Sequence, residues 1–244
     1  MISIGRGIRW YNDFYEEVTF SKQSGFDFLQ IWFRDGSLLV KGLPKPKEEH
    51  IKSCGFPVII HAVFDILDFD LYGDALLDLL HYLDHKEVII HPVCTKEPIS
   101  ENTGMRLAEK VNTFSSKAKS KCIVFYLENN SVIDGFHSRK EELQIVYEYD
   151  GYVEQLLDVA HIAGYEHLQQ IISVKFPKCL HVAGKHFSVP HEHLPITQGD
   201  IDYNFVFQQY LHGFDGRIIL EVDGSDDEIL SSKRIIEEAI PLLK

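Results

Sequence analysis

Eight short runs rich in Ile, Val, Phe and Tyr recur near residues 2–8, 27–33, 57–63, 87–92, 122–128, 152–157, 178–183 and 216–222, with amphipathic stretches between them. Several runs are apolar almost throughout, as expected of strands in a parallel sheet covered on both faces. The spacers include 102–119 and 226–242. In the last, Ile229, Leu230, Ile236, Ala239, Ile240 and Leu243 make one face, and Lys233, Glu237 and Glu238 make the other. That is the pattern of a helix laid on a core. A repeated strand–helix order implies a parallel sheet with right-handed crossovers, and eight such units close it into a barrel. The weakest run is the sixth, Tyr152-Val153-Glu154-Gln155-Leu156-Leu157, which is polar in the middle. A doubly wound open sheet is the alternative, but no GxGxxG turn is present and no nucleotide cofactor is expected.

Length agrees with closure. The chain has 244 residues and is 45% hydrophobic, enough for one sizeable core, and a (β/α)8 barrel typically takes about 250 residues. No linker or low-complexity tract divides it. The reading is therefore an α/β chain forming a single (β/α)8 TIM barrel over residues 1–244. The formal net charge of −13, from 37 acidic and 24 basic residues, opposes binding to nucleic-acid backbones, where affinity comes from Lys and Arg. Cys54, Cys94, Cys122 and Cys179 are far apart and form no CxxC pair. Three lie in or beside predicted strands and read as small buried hydrophobes. A reducing, cytoplasmic setting is expected, and no segment approaches the roughly 20 apolar residues of a membrane span.

Nine residues able to bind metals stand at or just after strand ends: His61, His91, Glu128, Asp158, His161, His181, His191, His193 and Glu221. Val58-Ile59-Ile60 runs into His61, Val88-Ile89-Ile90 into His91, and Ile218-Ile219-Leu220 into Glu221. In a barrel, the C-terminal strand ends line the active-site mouth. One such histidine is ordinary; nine ligand-type residues at one edge imply convergence on metal. Mixed imidazole and carboxylate donors suit Zn, Mn, Co or Fe better than Ca or Mg. Asp158 and His161, three apart, both point inward if the turn enters a helix. His191 and His193 alternate about an outward Glu192. Nine ligands exceed one ion's needs, so either two or three metals bind or some of these residues contact substrate.

Leu127-Glu128-Asn129, Leu157-Asp158-Val159-Ala160-His161, Leu180-His181-Val182, His193-Leu194-Pro195 with Gln198-Gly199-Asp200-Ile201-Asp202, and Ile219-Leu220-Glu221 follow in order. This set resembles the motifs of the xylose isomerase-like TIM-barrel superfamily, which includes sugar isomerases, ketose epimerases and endonuclease IV-type DNA-repair enzymes. The resemblance runs from about residue 57 to the C-terminus. Likeness to the epimerases implies one divalent metal on Glu128, Asp158, His181 and Glu221. Glu128 and Glu221 would be the catalytic pair, moving a proton across a metal-stabilised enediolate of a small sugar or sugar-like ketone, with His161 on a substrate hydroxyl. Likeness to endonuclease IV implies a trinuclear zinc site on His61, His91, Glu128, Asp158, His161, His181, His193 and Glu221, acting in phosphoester hydrolysis. There His191 replaces an expected aspartate. A non-catalytic, metal-stabilised barrel is the third reading. Relatives often form homo-oligomers through barrel helices, though nothing here marks the interface.

The mouth loops carry few basic residues beyond Arg6, Arg9, Arg34, Lys96 and Lys185, without the basic stripe that grips a duplex. A small substrate fits better. Ordinary packing accounts for Trp10, Phe33 and Phe64, whereas Trp32 is read as a wall against the substrate. Lys185, four residues past His181, is read as a substrate contact, with a solvated lysine as the alternative. His137, His167, His186 and His212 read as surface or helix residues, and His81 and His85 as structural. Asp65 and Asp68 read as caps of the following helix.

Overall fold

The structure, a computed structural model, describes residues 2–149 and 151–244, so Met1 and Asp150 of the single-domain reading lie outside the described residues. Eight parallel strands form the barrel: β1 (Ser3–Gly7), β2 (Phe28–Arg34), β4 (Val58–Asp65), β5 (Glu87–Val93), β6 (Val124–Glu128), β7 (Glu154–Asp158), β8 (Cys179–Val182) and β9 (Arg217–Leu220). Each pairs with its successor, and β1 pairs with both β2 and β9, which closes the sheet. Eight helices among the described residues follow in turn: α1 (Phe14–Gln23), α2 (Lys47–Cys54), α3 (Asp68–Leu83), α4 (Thr103–Ser120), α5 (Lys140–Tyr149), α6 (Tyr165–Val174), α7 (Tyr203–Tyr210) and α8 (Asp226–Ala239). All eight expected strands are present within a few residues of their expected bounds, the polar-centred sixth included.

A ninth strand is one that periodicity does not announce. β3 (Ser37–Leu39) folds back antiparallel on β2 through the two-residue turn Asp35-Gly36, with Arg34 opposite Ser37. Both turn residues have positive φ, 48° and 74°, the conformation a type I′ hairpin requires and Asp-Gly favours. The signal lies in the sequence, in a pair that strand-run counting passes over.

Strand side chains alternate between barrel interior and helix layer. Outward residues such as Leu29, Ile60, Ile90, Leu127, Leu157 and Leu180 are fully buried under the helices, each burial contributing about 1.5–3 kcal/mol. Inward, Phe28, Ile59, Ile89, Tyr126, Leu156, Cys179 and Ile219 form one apolar layer. β1 adds no bulk there, because a Cβ on Gly5 would stand 2.3 Å from the Phe28 ring. Below that layer, Glu87 accepts from the Tyr126 hydroxyl (2.8 Å) and pairs with Arg217 (2.7 Å), sealing the floor.

At the other end, Asp65 of β4 braces the mouth. It accepts from the Leu67 backbone N–H, from Thr95 N–H and Oγ1–H, and from Lys96 N–H. Asp68 accepts from the Asp65 N–H and pairs with Lys96. The two aspartates therefore hold a turn and a neighbouring loop together rather than capping α3, whose N-cap residue is Leu67 with no side-chain cap bond. Asp65→Ala is expected to cost about 1–3 kcal/mol, since it removes the charged acceptor of several part-buried hydrogen bonds; a fall in Tm measures it. Two other expectations change in the structure. Lys233 is largely buried on α8 with its amine on Glu237, rather than lying on an open polar face. Of the cysteines, all free, Cys179 is buried, Cys54 and Cys94 are half-buried, and Cys122 is exposed.

Candidate metal centre

The site is the next inward layer. Two residues beyond Phe28, Ile59, Ile89, Tyr126, Leu156, Cys179 and Ile219 stand Gln30, His61, His91, Glu128, Asp158, His181 and Glu221. The same alternation that packs the apolar layer aims all seven side chains into the barrel mouth. At the matching place on β1 stands Gly7, where a Cβ would lie 3.9 Å from Glu221 and 4.0 Å from Gln30.

Loops supply the remaining candidate ligands. Asp158 Oδ1 accepts from the Ala160 N–H (2.6 Å), nucleating a single 3-10 turn over Val159–His161 that brings His161 inward. Asn129 accepts from the Asp158 N–H (2.8 Å), and its carbonyl accepts from His161 Nδ1–H (2.9 Å). The 191–193 loop is pinned by paired backbone hydrogen bonds between Gly184 and Leu194, 2.7 and 2.9 Å, and by Ser131 Oγ on the Pro190 carbonyl (2.8 Å). Gly184 is needed there, since a Cβ would meet the Pro195 carbonyl oxygen at 2.3 Å. Glu192 turns away to accept from the His186 N–H (3.0 Å), while His191 and His193 face the mouth.

All nine sequence-selected ligands come together. His61 lies between the glutamates, Nε2 2.9 Å from Glu128 and Nδ1 3.3 Å from Glu221. Glu128 is also 3.1 Å from His91, 3.5 Å from His181 and 3.6 Å from His161. His181 Nδ1 lies 3.5 Å from Glu221 and 3.7 Å from Asp158. Among the described residues, potential ligand atoms fall within 4.8 Å of one another in five overlapping triads, including His61–His91–Glu128, Glu128–Asp158–His181 and the all-imidazole His161–His191–His193.

Electrostatics agree with a cation site. Burial opposes charge on Glu128, Asp158 and Glu221, yet the surrounding imidazoles outweigh it and hold all three carboxyls below their ordinary range. Burial also disfavours the His181 cation, but Glu221 and Glu128 overcome it and raise its pKa. His191 faces mainly other histidines, so burial and their charge push it down to about 4. His61 Nδ1 and Nε2, Glu128 Oε2, Asp158 Oδ2, His161 Nε2 and His181 Nδ1 are buried and, short contacts notwithstanding, none is aligned for a hydrogen bond among the described residues. Such atoms normally cost about 1–3 kcal/mol each when left unpaired. Donors of this type, aimed inward without partners, fit a divalent cation such as zinc.

A cavity of about 560 Å³ opens above, bordered by His91, Glu128, His161, His191, His193 and Glu221. His61, Asp158 and His181 lie beneath. Ile8, Trp10, Tyr11, Trp32, Arg34 and Leu39 form one wall, so the unforeseen β3 arm contributes directly. Trp32 stacks on His61 with ring centres 4.4 Å apart, fixing that imidazole as well as facing the cavity. Trp10 is 59% exposed on the same wall rather than packed in the core, where Phe33 and Phe64 do lie. Lys185 is placed elsewhere. It is buried, its amine donates to the Ile162 carbonyl, and it does not border the cavity. His137, read as a surface or helix residue, is a buried loop residue behind the site, and burial lowers its pKa to about 3. His167, His186 and His212 are not buried, and His81 and His85 stand at the end of α3, away from the site.

No family model matches the chain, and no curated protein matches it by sequence. Solved structures do. A D-tagatose 3-epimerase-like protein superposes with TM-score 0.76 at 17% identity, over 99% of this chain and 98% of that one. An IOLI protein with a bound zinc atom gives 0.70 at 15%, over 98% and 96%. Endonuclease IV from Thermus thermophilus gives 0.67 at 18%, over 98% and 99%. At these identities the likeness is one of fold, and the chain is a (β/α)8 barrel.

Proposed function

We propose that the chain is a divalent-metal enzyme that isomerises or epimerises a small sugar or sugar-like ketone, with Glu128 and Glu221 as the proton-moving pair. One observation carries this reading. The two carboxylates border the cavity from opposite sides of His61, 2.9 and 3.3 Å from its two nitrogens. Glu128, Asp158, His181 and Glu221 would hold the cation. When bound, a divalent metal (zinc or manganese foremost, cobalt or iron as alternatives) polarises a substrate carbonyl and acidifies the neighbouring C–H. One glutamate takes that proton and the other returns one from the opposite side. Because His161 Nδ1–H donates to the Asn129 carbonyl, its Nε2 is an acceptor for a substrate hydroxyl. Trp32 walls the cavity from water. A cavity of about 560 Å³ beside a net charge of −13 suits a small substrate better than a duplex.

A second reading, metal-assisted phosphoester hydrolysis, is favoured by the all-imidazole His161–His191–His193 triad, none of whose residues belongs to the four-ligand set. Elemental analysis of purified protein separates the two. The expected result is one Zn, Mn or Co per chain, with ketose turnover lost in both Glu128→Gln and Glu221→Gln. Two or three zinc ions with phosphodiester cleavage would transfer the assignment to the second reading. No bound metal, and no effect of a chelator on Tm, would sink both.

A further inference from the structure

Gln30 is not among the sequence-selected ligands, yet it touches two of them. Its amide nitrogen donates to Glu221 Oε1, and its amide oxygen lies 2.8 Å from His181 Nε2, all three groups being buried. A carboxylate can only accept, so the NH₂ end of the amide must face Glu221. The oxygen then faces His181, and an amide oxygen only accepts. His181 must therefore carry a proton on Nε2, and Nδ1, 3.5–3.7 Å from the carboxylates of Glu128, Asp158 and Glu221, is the nitrogen left for a metal.

That is the reverse of the neighbouring histidines. His161 and His193 each direct Nδ1 to a backbone carbonyl, of Asn129 (2.9 Å) and Glu221 (3.1 Å), leaving Nε2 for the site. A backbone carbonyl keeps its orientation whatever side chain it bears. Among these three, His181 is held by a side chain that mutation can remove.

We infer that Gln30 is a positioning residue that fixes His181 as an Nδ1 metal ligand and holds Glu221 beside it. The inference rests on the metal-site reading above and concerns neither the sugar nor the reaction. Groups hydrogen-bonded to metal ligands set tautomer and ring orientation, and their loss typically weakens metal affinity about 10–100-fold.

The test uses zinc and the ¹⁵N-labelled full chain. In the zinc-loaded wild type, long-range ¹H–¹⁵N spectra should show His181 metal-bound through Nδ1 with its proton on Nε2. Gln30→Met, close in shape but unable to hydrogen-bond, should raise the zinc Kd by about 10–100-fold. Gln30→Glu keeps an acceptor for His181 while losing the donor to Glu221, so it should retain Nδ1 ligation. Ligation of His181 through Nε2 in the wild type would overturn the inference without using any variant. So would an unchanged zinc Kd in Gln30→Met. If the wild type binds no zinc at all, the metal-site reading falls and this inference with it.

Discussion

Glu128→Gln is expected to lower ketose turnover by about 10²–10⁴-fold, the usual contribution of a positioned general acid or base. Shape is nearly conserved, so the barrel should fold. What disappears is the charge at the centre of the site. Glu128 is 1% exposed and lies within 3.6 Å of His61, His91, His161 and His181. The surrounding imidazoles hold its carboxyl well below the ordinary range despite burial. It is therefore ionised near neutrality, the state that the proposed base and ligand roles both need. Glutamine keeps one acceptor oxygen but cannot take a proton, so metal affinity should fall less steeply than turnover. Assaying turnover at saturating metal separates these losses. Wild-type turnover in metal-saturated Glu128→Gln would remove the residue from the proposed chemistry.

The largest stability effect is expected away from the site, at Glu17. Arg6 on β1 is almost fully buried and donates to Glu17 at 2.7 Å. Arg9 donates to the other carboxylate oxygen at 2.6 and 2.9 Å, Asn12 adds 3.0 Å, and Arg9 reaches on to Asp226 at 2.7 Å. The network joins β1, α1 and α8, where the first and last units meet. Glu17→Ala strands the buried Arg6 cation, a change that typically costs about 3–5 kcal/mol. For a domain of this size that corresponds to a fall in Tm of roughly 6–20 °C. By contrast, the ladder between α3 and α4, Lys117–Asp74 at 2.6 Å and Lys121–Asp78 at 3.0 Å, is open to water. Each such pair contributes about 0–1 kcal/mol, so Lys117→Ala should scarcely move Tm. Equal effects at the two places would contradict the argument from burial.

Acid titration gives the same network a sign. Burial pushes the Glu17 carboxyl up, but its hydrogen bond from Arg9 and the Arg6 charge outweigh that and bring it below its ordinary value. A depressed carboxylate stabilises the fold at pH above its unfolded pKa, and the benefit is lost as pH falls through the folded one. Wild type should therefore lose stability with acid more steeply than Glu17→Ala, so that their Tm difference narrows toward low pH. Since Arg9 also borders the cavity, the same network supports part of its wall.

Most of the site was legible because strand alternation is local. Val58-Ile59-Ile60-His61 and Ile218-Ile219-Leu220-Glu221 show, without any tertiary information, an apolar run stopping at a ligand. Gln30 carries the same signal: a lone polar residue in Phe28-Leu29-Gln30-Ile31-Trp32, at the inward position two residues past Phe28. It escapes a search for ligands because glutamine is an uncommon metal ligand and its work is done on other ligands. Lys185 and His137 were misplaced for a different reason. Both sit in loops, where no period says which way a side chain turns, and burial there is decided by what the loop packs against.

The sequence alone thus determined the barrel and the layer of ligand-type residues, because strand order and a two-residue alternation are properties of the chain itself. Only closure of the sheet decided which atoms meet. His61 touches both glutamates, Gln30 bridges His181 and Glu221, and Trp32 stacks on His61, although up to 191 residues separate the partners. Such contacts depend on the register of β1 against β9 and on which ring nitrogen finds an acceptor. Those distances and hydrogen bonds are set across the barrel rather than along the strand.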